Sequence, residues 1–193
     1  MLLRNGDESF EKFDLSLYDD RPLPGGTVAP RETMKKVLAV AKDFADRFPD
    51  GPDKNMLFQG GTGLGKTFLS ACIARQVADR GCSVVYDTAI RLFSDFEAEK
   101  FGAAQEENRG KSRKYLECDL LIIDDLGTEM TTQFTISTLY YLLNTRMMEN
   151  RATIISTKSA DTEIENRYSP QIASRIIGTF RLVQFAGEDI RRR

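Results

Sequence analysis

Residues 60–67 read GGTGLGKT, and no other stretch narrows so sharply what this chain can fold into. The spacing is G-x-x-x-x-G-K-[ST]. Glycines at these positions permit positive φ, so successive backbone N–H groups can turn toward one point. A helix that starts immediately afterwards aims its positive end at the same point. Lys66 is then placed to reach the β- and γ-phosphates of a nucleotide, and the Thr67 hydroxyl to ligate Mg²⁺. At average residue usage a chance match somewhere in a chain of this length is roughly a 1% event. The surroundings agree: Asn55–Gln59 is a short apolar strand, and FLSACIARQVADRG after the loop places Leu69, Cys72, Ile73, Gln76 and Val77 on one helical face, with Gly81 as a stop. A glycine-rich turn with an exposed lysine is the weaker alternative. The expected nucleotide-contacting set is Gly60, Gly61, Thr62, Gly63, Leu64, Gly65, Lys66, Thr67 and Phe68.

A second stretch, LLIIDDLG at 120–127, runs four aliphatic residues into two carboxylates. Such a run marks a strand buried on both faces. Two acids at its end are costly unless something offsets their charge. The phosphate loop supplies the setting: in a P-loop nucleoside triphosphatase an aspartate ending a neighbouring strand holds the Mg²⁺ shell. Asp124 fits that role. Asp125 is next, and adjacent strand residues point to opposite sides, so it is expected to reach toward the γ-phosphate and orient the attacking water. Capping of the turn at Leu126-Gly127 is the alternative for the pair, and Glu129 is the rival base.

Composition removes several other chemistries. The 193 residues suit one domain with a full core. There is no histidine, which excludes Ser-His-Asp and Cys-His catalysis and imidazole metal sites. The three cysteines, Cys72, Cys82 and Cys118, have no Cys-x-x-Cys spacing, so neither zinc nor a disulfide framework is expected, and a reduced cytoplasmic setting fits best. Met1-Leu2-Leu3 before Arg4 gives no expectation of a signal peptide, and no apolar run approaches a membrane span. A net charge of −2 gives no global attraction to nucleic acid or membrane, so any DNA contact needs a local patch.

Along the chain, residues 1–30 read as a polar strap, with turns at Pro22, Pro24, Gly25, Gly26 and Pro30. Phe10, Phe13, Leu15, Leu17 and Tyr18 are candidates to pin it to the body, which is expected to span 31–193. Helical spacing predicts helices over 32–48, 88–101, 131–149, with Phe134, Leu139, Leu142, Leu143 and Met147 inward, and from Ser169-Pro170 to 177. Strands are predicted over 55–59, 83–86, 120–123, 153–156 and 181–185. Residues 102–114 read as a loop or marginal helix. Strands alternating with helices predict a parallel sheet covered on both faces, a three-layer α/β/α arrangement.

GGTGLGKTFLS, YLECDLLIIDDLGTE, YSPQIASRI and the terminal GEDIRRR together resemble the bacterial helicase-loader ATPases of the DnaC/DnaI type, in the AAA+ class, and are similar to the related IstB transposition ATPases. FEKFDLSLYDD resembles the strap that precedes their ATPase core. The resemblance implies a five-stranded parallel sheet, ATP and Mg²⁺, and assembly into a ring or spiral. It implies that Arg175 in IASRI is an arginine finger acting in trans on a neighbour's γ-phosphate, worth about 10³–10⁵ in rate, with a surface salt bridge as the alternative. It places Arg191 at the sensor-2 position, touching nucleotide in its own subunit, with a frayed basic terminus as the alternative. It implies a replicative hexameric helicase and single-stranded DNA as partners. The helix over 91–101 lies where this group carries one associated with single-stranded DNA, but Leu92, Phe93 and Phe96 read equally as core. Arg109, Lys111, Arg113 and Lys114 form a basic cluster that fits either a phosphate backbone or a solvated loop.

Three departures stand out. The family places asparagine at the end of the fourth strand, where this chain has Lys158 after Ser156-Thr157. An ammonium cannot accept a hydrogen bond from the attacking water; Thr157 is the expected substitute, and turnover is expected to be slow or differently gated. Full-length loaders carry a helicase-binding domain ahead of the ATPase core, where this chain has only about fifty residues that read as strap plus one helix, so a fragment or a partner contact elsewhere is expected. The chain ends soon after Arg191, leaving a helical lid minimal or absent. The reading is an AAA+ ATPase acting as a helicase loader. A transposition helper, a nucleotide-dependent assembly switch with little turnover, and a small-molecule kinase are the rivals.

Overall fold

The computed structural model of the protein describes residues 8–102 and 109–192. The first seven residues of the expected strap and residues 103–108 of the expected polar loop lie outside the described residues, as does residue 193. Five strands, β1 (Asn55–Gln59), β2 (Val84–Thr88), β3 (Leu120–Leu126), β4 (Ala152–Thr157) and β5 (Arg181–Gln184), form one sheet in the order β2-β3-β4-β1-β5. Every neighbouring pair is parallel.

The aliphatic runs are continuous because both faces of the sheet are covered. Met56, Phe58, Leu120, Ile122 and Ile154 enter one core cluster with α1 (Pro30–Arg47) and α2 (Lys66–Asp79). Leu57, Leu121, Ile123 and Ile155 enter another, against α3 (Ala89–Phe101), α4 (Arg113–Glu117), α5 (Gln133–Met148), α6 (Asp161–Arg167) and α7 (Pro170–Thr179). This is the three-layer α/β/α arrangement with a five-stranded parallel sheet.

The segment before α1 is two 3₁₀ turns, Phe10–Lys12 and Leu15–Leu17, packed on the first cluster. Phe10, Phe13 and Tyr18 are buried there, with Leu15 and Leu17 partly so. Arg31 anchors the end of this segment: its main-chain N–H donates to Asp19 O at 2.9 Å and its Nε to Tyr18 O at 3.0 Å. Helix α1 starts at Pro30, two residues earlier than the pattern predicts, because proline is tolerated at a first helical position.

Three differences from the sequence reading have clear causes. Helix α6 was not expected: only Ile164 in it is buried, so it has no periodicity to read. On α5 the inward face includes Thr135, Thr138 and a fully buried Arg146, while Met147 is only half-buried. Strand β3 continues through both acids to Leu126, past the predicted end at Ile123, and its register against β4 shifts between Ile123 and Leu126.

Candidate nucleotide site

The loop 60–67 runs from the end of β1 to the first turn of α2, at the carboxyl edge of the sheet where open α/β folds bind ligands. Two glycines are required by both conformation and space. Gly63 has φ +72°, and a Cβ there would lie 1.8 Å from an Asp189 carboxylate oxygen. Gly65 has φ +88°, and a Cβ there would meet the Tyr18 hydroxyl at 2.9 Å and the Phe13 ring at 3.1 Å. The chain before α1 therefore holds the loop from below. Tyr18 donates to Leu64 O at 2.9 Å, and burial pushes its pKa up to about 12. The Leu64 side chain is buried beneath the loop.

Lys66 is buried, and its ammonium donates to Gly60 O and Gly61 O, both at 2.6 Å. Desolvation pushes its pKa down, with Asp125 and Asp124 pulling the other way. A buried cation held by two neutral carbonyls is primed for an anion. The first N–H groups of α2 have no intrahelical partner and point the same way. Loop and lysine fit a polyphosphate.

Asp124 is 3% exposed and accepts from three hydroxyls: Thr67 at 3.0 Å, Tyr86 at 2.7 Å, and Ser156. A buried carboxylate beside a threonine hydroxyl, next to a phosphate cradle, is a hard-oxygen set of the kind Mg²⁺ takes. No group of three or more His, Cys, Asp or Glu that would hold a metal occurs among the described residues; Mg²⁺ needs only one or two carboxylates plus phosphates and water. Asp125 does not reach the cleft by simple strand alternation, as expected from sequence. Its φ is +55°, where the β3 register breaks, and its N–H donates to Ser156 Oγ at 2.9 Å. Partial desolvation and the Asp124 charge push its pKa up, while Lys66, Lys158 and Arg191 pull it down. Asp125 thus lies within electrostatic reach of the lysine of the loop, the residue after β4 and Arg191.

A family model described as an IstB-like ATP binding protein matches residues 41–193. The chain belongs to this IstB-like ATP-binding family. Two named relatives extend the link. The replicative helicase loader DnaC of Escherichia coli K12 is 26% identical over 150 residues, 75% of this chain and 58% of that protein. The chromosomal replication initiator DnaA of Limosilactobacillus fermentum is 29% identical over 152 residues, 77% of this chain and 33% of that protein. The chain spans only part of each, and 19% of the DnaA of Aliarcobacter butzleri, to which it is 38% identical over 88 residues. The fold agrees: a crystal structure of the DnaC helicase loader superposes with TM-score 0.69 at 18% identity, covering 92% of this chain and 98% of that one. A crystal structure of DnaI gives 0.69 at 22%, covering 96% and 91%. This is the P-loop α/β fold of the DnaC and DnaA structures.

Within this IstB-like site some expected residues take other work. The Thr157 hydroxyl is 1% exposed, donates to Leu126 O at 2.7 Å and accepts from Ser159 N at 3.1 Å. Its single proton ties β4 to the end of β3, and Ser159 N–H takes one of its two lone pairs. Lys158 is exposed. Glu129, the rival base, is buried, accepts from Gly127 N at 2.9 Å and from the Tyr168 hydroxyl, and so braces the loop after β3. The Phe68 ring is partly buried and lies 6.0 Å from that of Phe13, packed against the first core cluster.

Arg191 is brought to the site. Ile190 N donates to Gly63 O at 3.1 Å, which lays the terminal turn on the phosphate loop. Arg191 makes a two-pronged pair with Asp189, both bonds at 2.9 Å, and lies close enough to Lys66 and Asp125 to perturb both. Arg175 is elsewhere, half-buried on α7, with its guanidinium 4.4 Å from the Tyr140 ring centre and donating to Tyr140 Oη at 2.8 Å and Asn144 Oδ1 at 3.0 Å. In the basic cluster, Arg113 pairs with Glu117 at 2.6 Å and Lys114 with Asp95 at 2.8 Å. Leu92, Phe93 and Phe96 are core.

Sequence reasoning missed Tyr86, Ser156 and Asp189. The first two carry a signal that needs strand order. Tyr86 and Ile154 both pair with Ile122, so Ser156 and Asp124, each two residues on, share their face. Asp189 sits two residues before Arg191 but is recognisable only once the terminal turn is seen on Gly63.

Proposed function

We propose that this chain is an ATP-hydrolysing AAA+ module that loads a replicative hexameric helicase onto single-stranded DNA. One observation carries the ATPase part: Lys66, Thr67, Asp124 and Asp125 lie together at the carboxyl edge of the sheet, with the buried Lys66 ammonium on the Gly60 and Gly61 carbonyls and the buried Asp124 carboxylate on the Thr67 hydroxyl. In this reading Lys66 exchanges the Gly60 and Gly61 carbonyls for phosphate oxygens. Thr67 and Asp124 hold Mg²⁺, which supplies charge neutralisation on the β- and γ-phosphates. Asp125 orients the attacking water and receives its proton. Arg191 exchanges Asp189 for the nucleotide, and Arg175 leaves Tyr140 and Asn144 to reach the γ-phosphate on an adjacent copy.

The relation to DnaC supports the loader reading. The family description favours a second one, a transposition helper of the IstB type. A pull-down of the full-length protein with ATP, with and without single-stranded DNA, read by mass spectrometry, separates them. Recovery of a hexameric helicase supports the loader reading, and recovery of a transposase replaces it.

A further inference from the structure

We infer that Ser156 is a positioning residue that sets both carboxylates of the site through one hydroxyl; the inference rests on the ATPase reading above. Ser156 is fully buried in β4, between β3 and β1. Its single proton goes to Asp124 Oδ1, and its oxygen accepts the N–H of Asp125 at 2.9 Å. A hydroxyl has one proton and two lone pairs, and here the proton and one lone pair go to the two acids.

The division of labour on Asp124 is specific. Ser156 takes Oδ1, while Thr67 and Tyr86 share Oδ2. Thr67 is the group that must turn toward a cation. Ser156 approaches from the β4 side, so it keeps the carboxylate plane fixed when Thr67 lets go. At Asp125 the need is different. A non-glycine residue at φ +55° is uncommon and persists only where its surroundings hold it. The register shift removes Asp125 from the ordinary β3–β4 ladder, and Ser156 Oγ satisfies the N–H left over. The same atom therefore fixes the metal-holding acid by its side chain and the water-orienting acid by its backbone. Ser156 Oγ is thus a partner common to both acids, beside the peptide bond they share and the repulsion between their charges.

Hydrogen-bond partners that orient a metal-holding carboxylate typically cost 10–100-fold in metal affinity or activity when lost. The test compares wild type, Ser156→Ala and Ser156→Cys; the last keeps the shape of the side chain in a slightly larger atom and replaces the hydroxyl with a weak donor, and carries the same expectation should the alanine variant not fold. Equilibrium binding of a fluorescent, non-hydrolysable ATP analogue is measured without Mg²⁺ and across a Mg²⁺ titration, and kcat and KM are measured separately. We expect Mg²⁺-free binding within about twofold of wild type, half-saturating Mg²⁺ raised by about tenfold, and kcat lowered by about 10–100-fold with KM nearly unchanged. Variants that keep the Mg²⁺ half-saturation and kcat within twofold of wild type overturn the inference. So do variants that lose Mg²⁺-free binding in equal measure, since that marks a merely structural serine. A wild-type protein whose analogue binding ignores Mg²⁺ overturns the ATPase reading, and this inference with it.

Discussion

Arg146 is fully buried on α5 and makes no ion pair with a carboxylate among the described residues, an uncommon place for a cation. Its guanidinium donates to oxygens on two strands' connections: Thr153 Oγ1 at 3.0 Å and Ala152 O at the start of β4, and Tyr115 O at 2.8 Å, Leu116 O at 3.3 Å and Cys118 O at 3.0 Å in the segment entering β3. It thereby ties together the roots of the two strands whose far ends carry Asp124 and Ser156. Arg146→Met fills much of the volume but leaves these acceptors without a donor. Each lost charge-assisted bond is worth about 1.5–3 kcal/mol. Removing a buried charge that is itself costly offsets part of the sum, and buried acceptors left without a donor, at about 1–3 kcal/mol each, leave a net loss of about 3–5 kcal/mol. For a domain of this size 1 kcal/mol moves Tm by about 2–4 °C, so the midpoint should fall by roughly 6–20 °C. Arg146→Lys keeps the charge but cannot span both strand roots with one nitrogen, and should lose more than half as much. Differential scanning calorimetry and urea titration at constant m-value measure this. An Arg146→Met midpoint within about 2 °C of wild type would refute the reasoning.

Three further outcomes follow from single sites. Lys158→Asn replaces an ammonium with a group able to accept from water beside Asp125, and should raise ATP turnover; an unchanged or lower rate in a steady-state phosphate-release assay counts against this. Asp189→Asn removes the carboxylate that holds Arg191 over the phosphate loop, and should tighten ATP binding by roughly two- to fivefold, the range of an exposed pair. The Asp189 pKa is depressed to about 2 by Arg191. Its pairing is therefore in force above about pH 4 and lost as pH falls toward 2, so the effect should be constant from about pH 6 to 9; fluorescence binding isotherms that show no gain at any pH contradict it. Burial pushes the Cys72 thiol up to about 12 and raises that of buried Cys118, while Cys82 is only half-buried. A thiol reagent at pH 8 should label Cys82 quickly in the native protein and the other two only after denaturation; two fast thiols would contradict this.

The phosphate loop was legible because its information is local. Positive-φ glycines, one lysine and one threonine at fixed spacing specify a conformation that the chain before α1 then supports from below. The aliphatic run at 120–123 was legible as a doubly buried strand for the same kind of reason, since alternate residues must enter different clusters. The strand's continuation through Asp124 and Asp125 was not, because what holds it is Ser156, a residue on a strand thirty positions away. Thr157 and Glu129 have the right chemistry for catalysis by type alone. Their hydrogen bonds with Leu126 O, Ser159 N, Gly127 N and Tyr168 are announced by no local pattern. Arg146 interrupts the apolar face of α5 and reads as an exposed position until the carbonyls converging on it are seen. Helix α6 offers one apolar residue and hence no period.

The central claim is that Lys66, Thr67 and Asp124 form a phosphate and Mg²⁺ cradle that turns over ATP. The most direct measurement is ATP binding and phosphate release by the full chain with and without Mg²⁺, beside Lys66→Ala. Wild type should bind ATP more tightly with Mg²⁺ and release phosphate. Lys66→Ala should bind about 10–100-fold more weakly, the loss of one or two charge-assisted bonds, and release none. Equal binding by wild type and Lys66→Ala, or wild-type binding indifferent to Mg²⁺, would contradict the account.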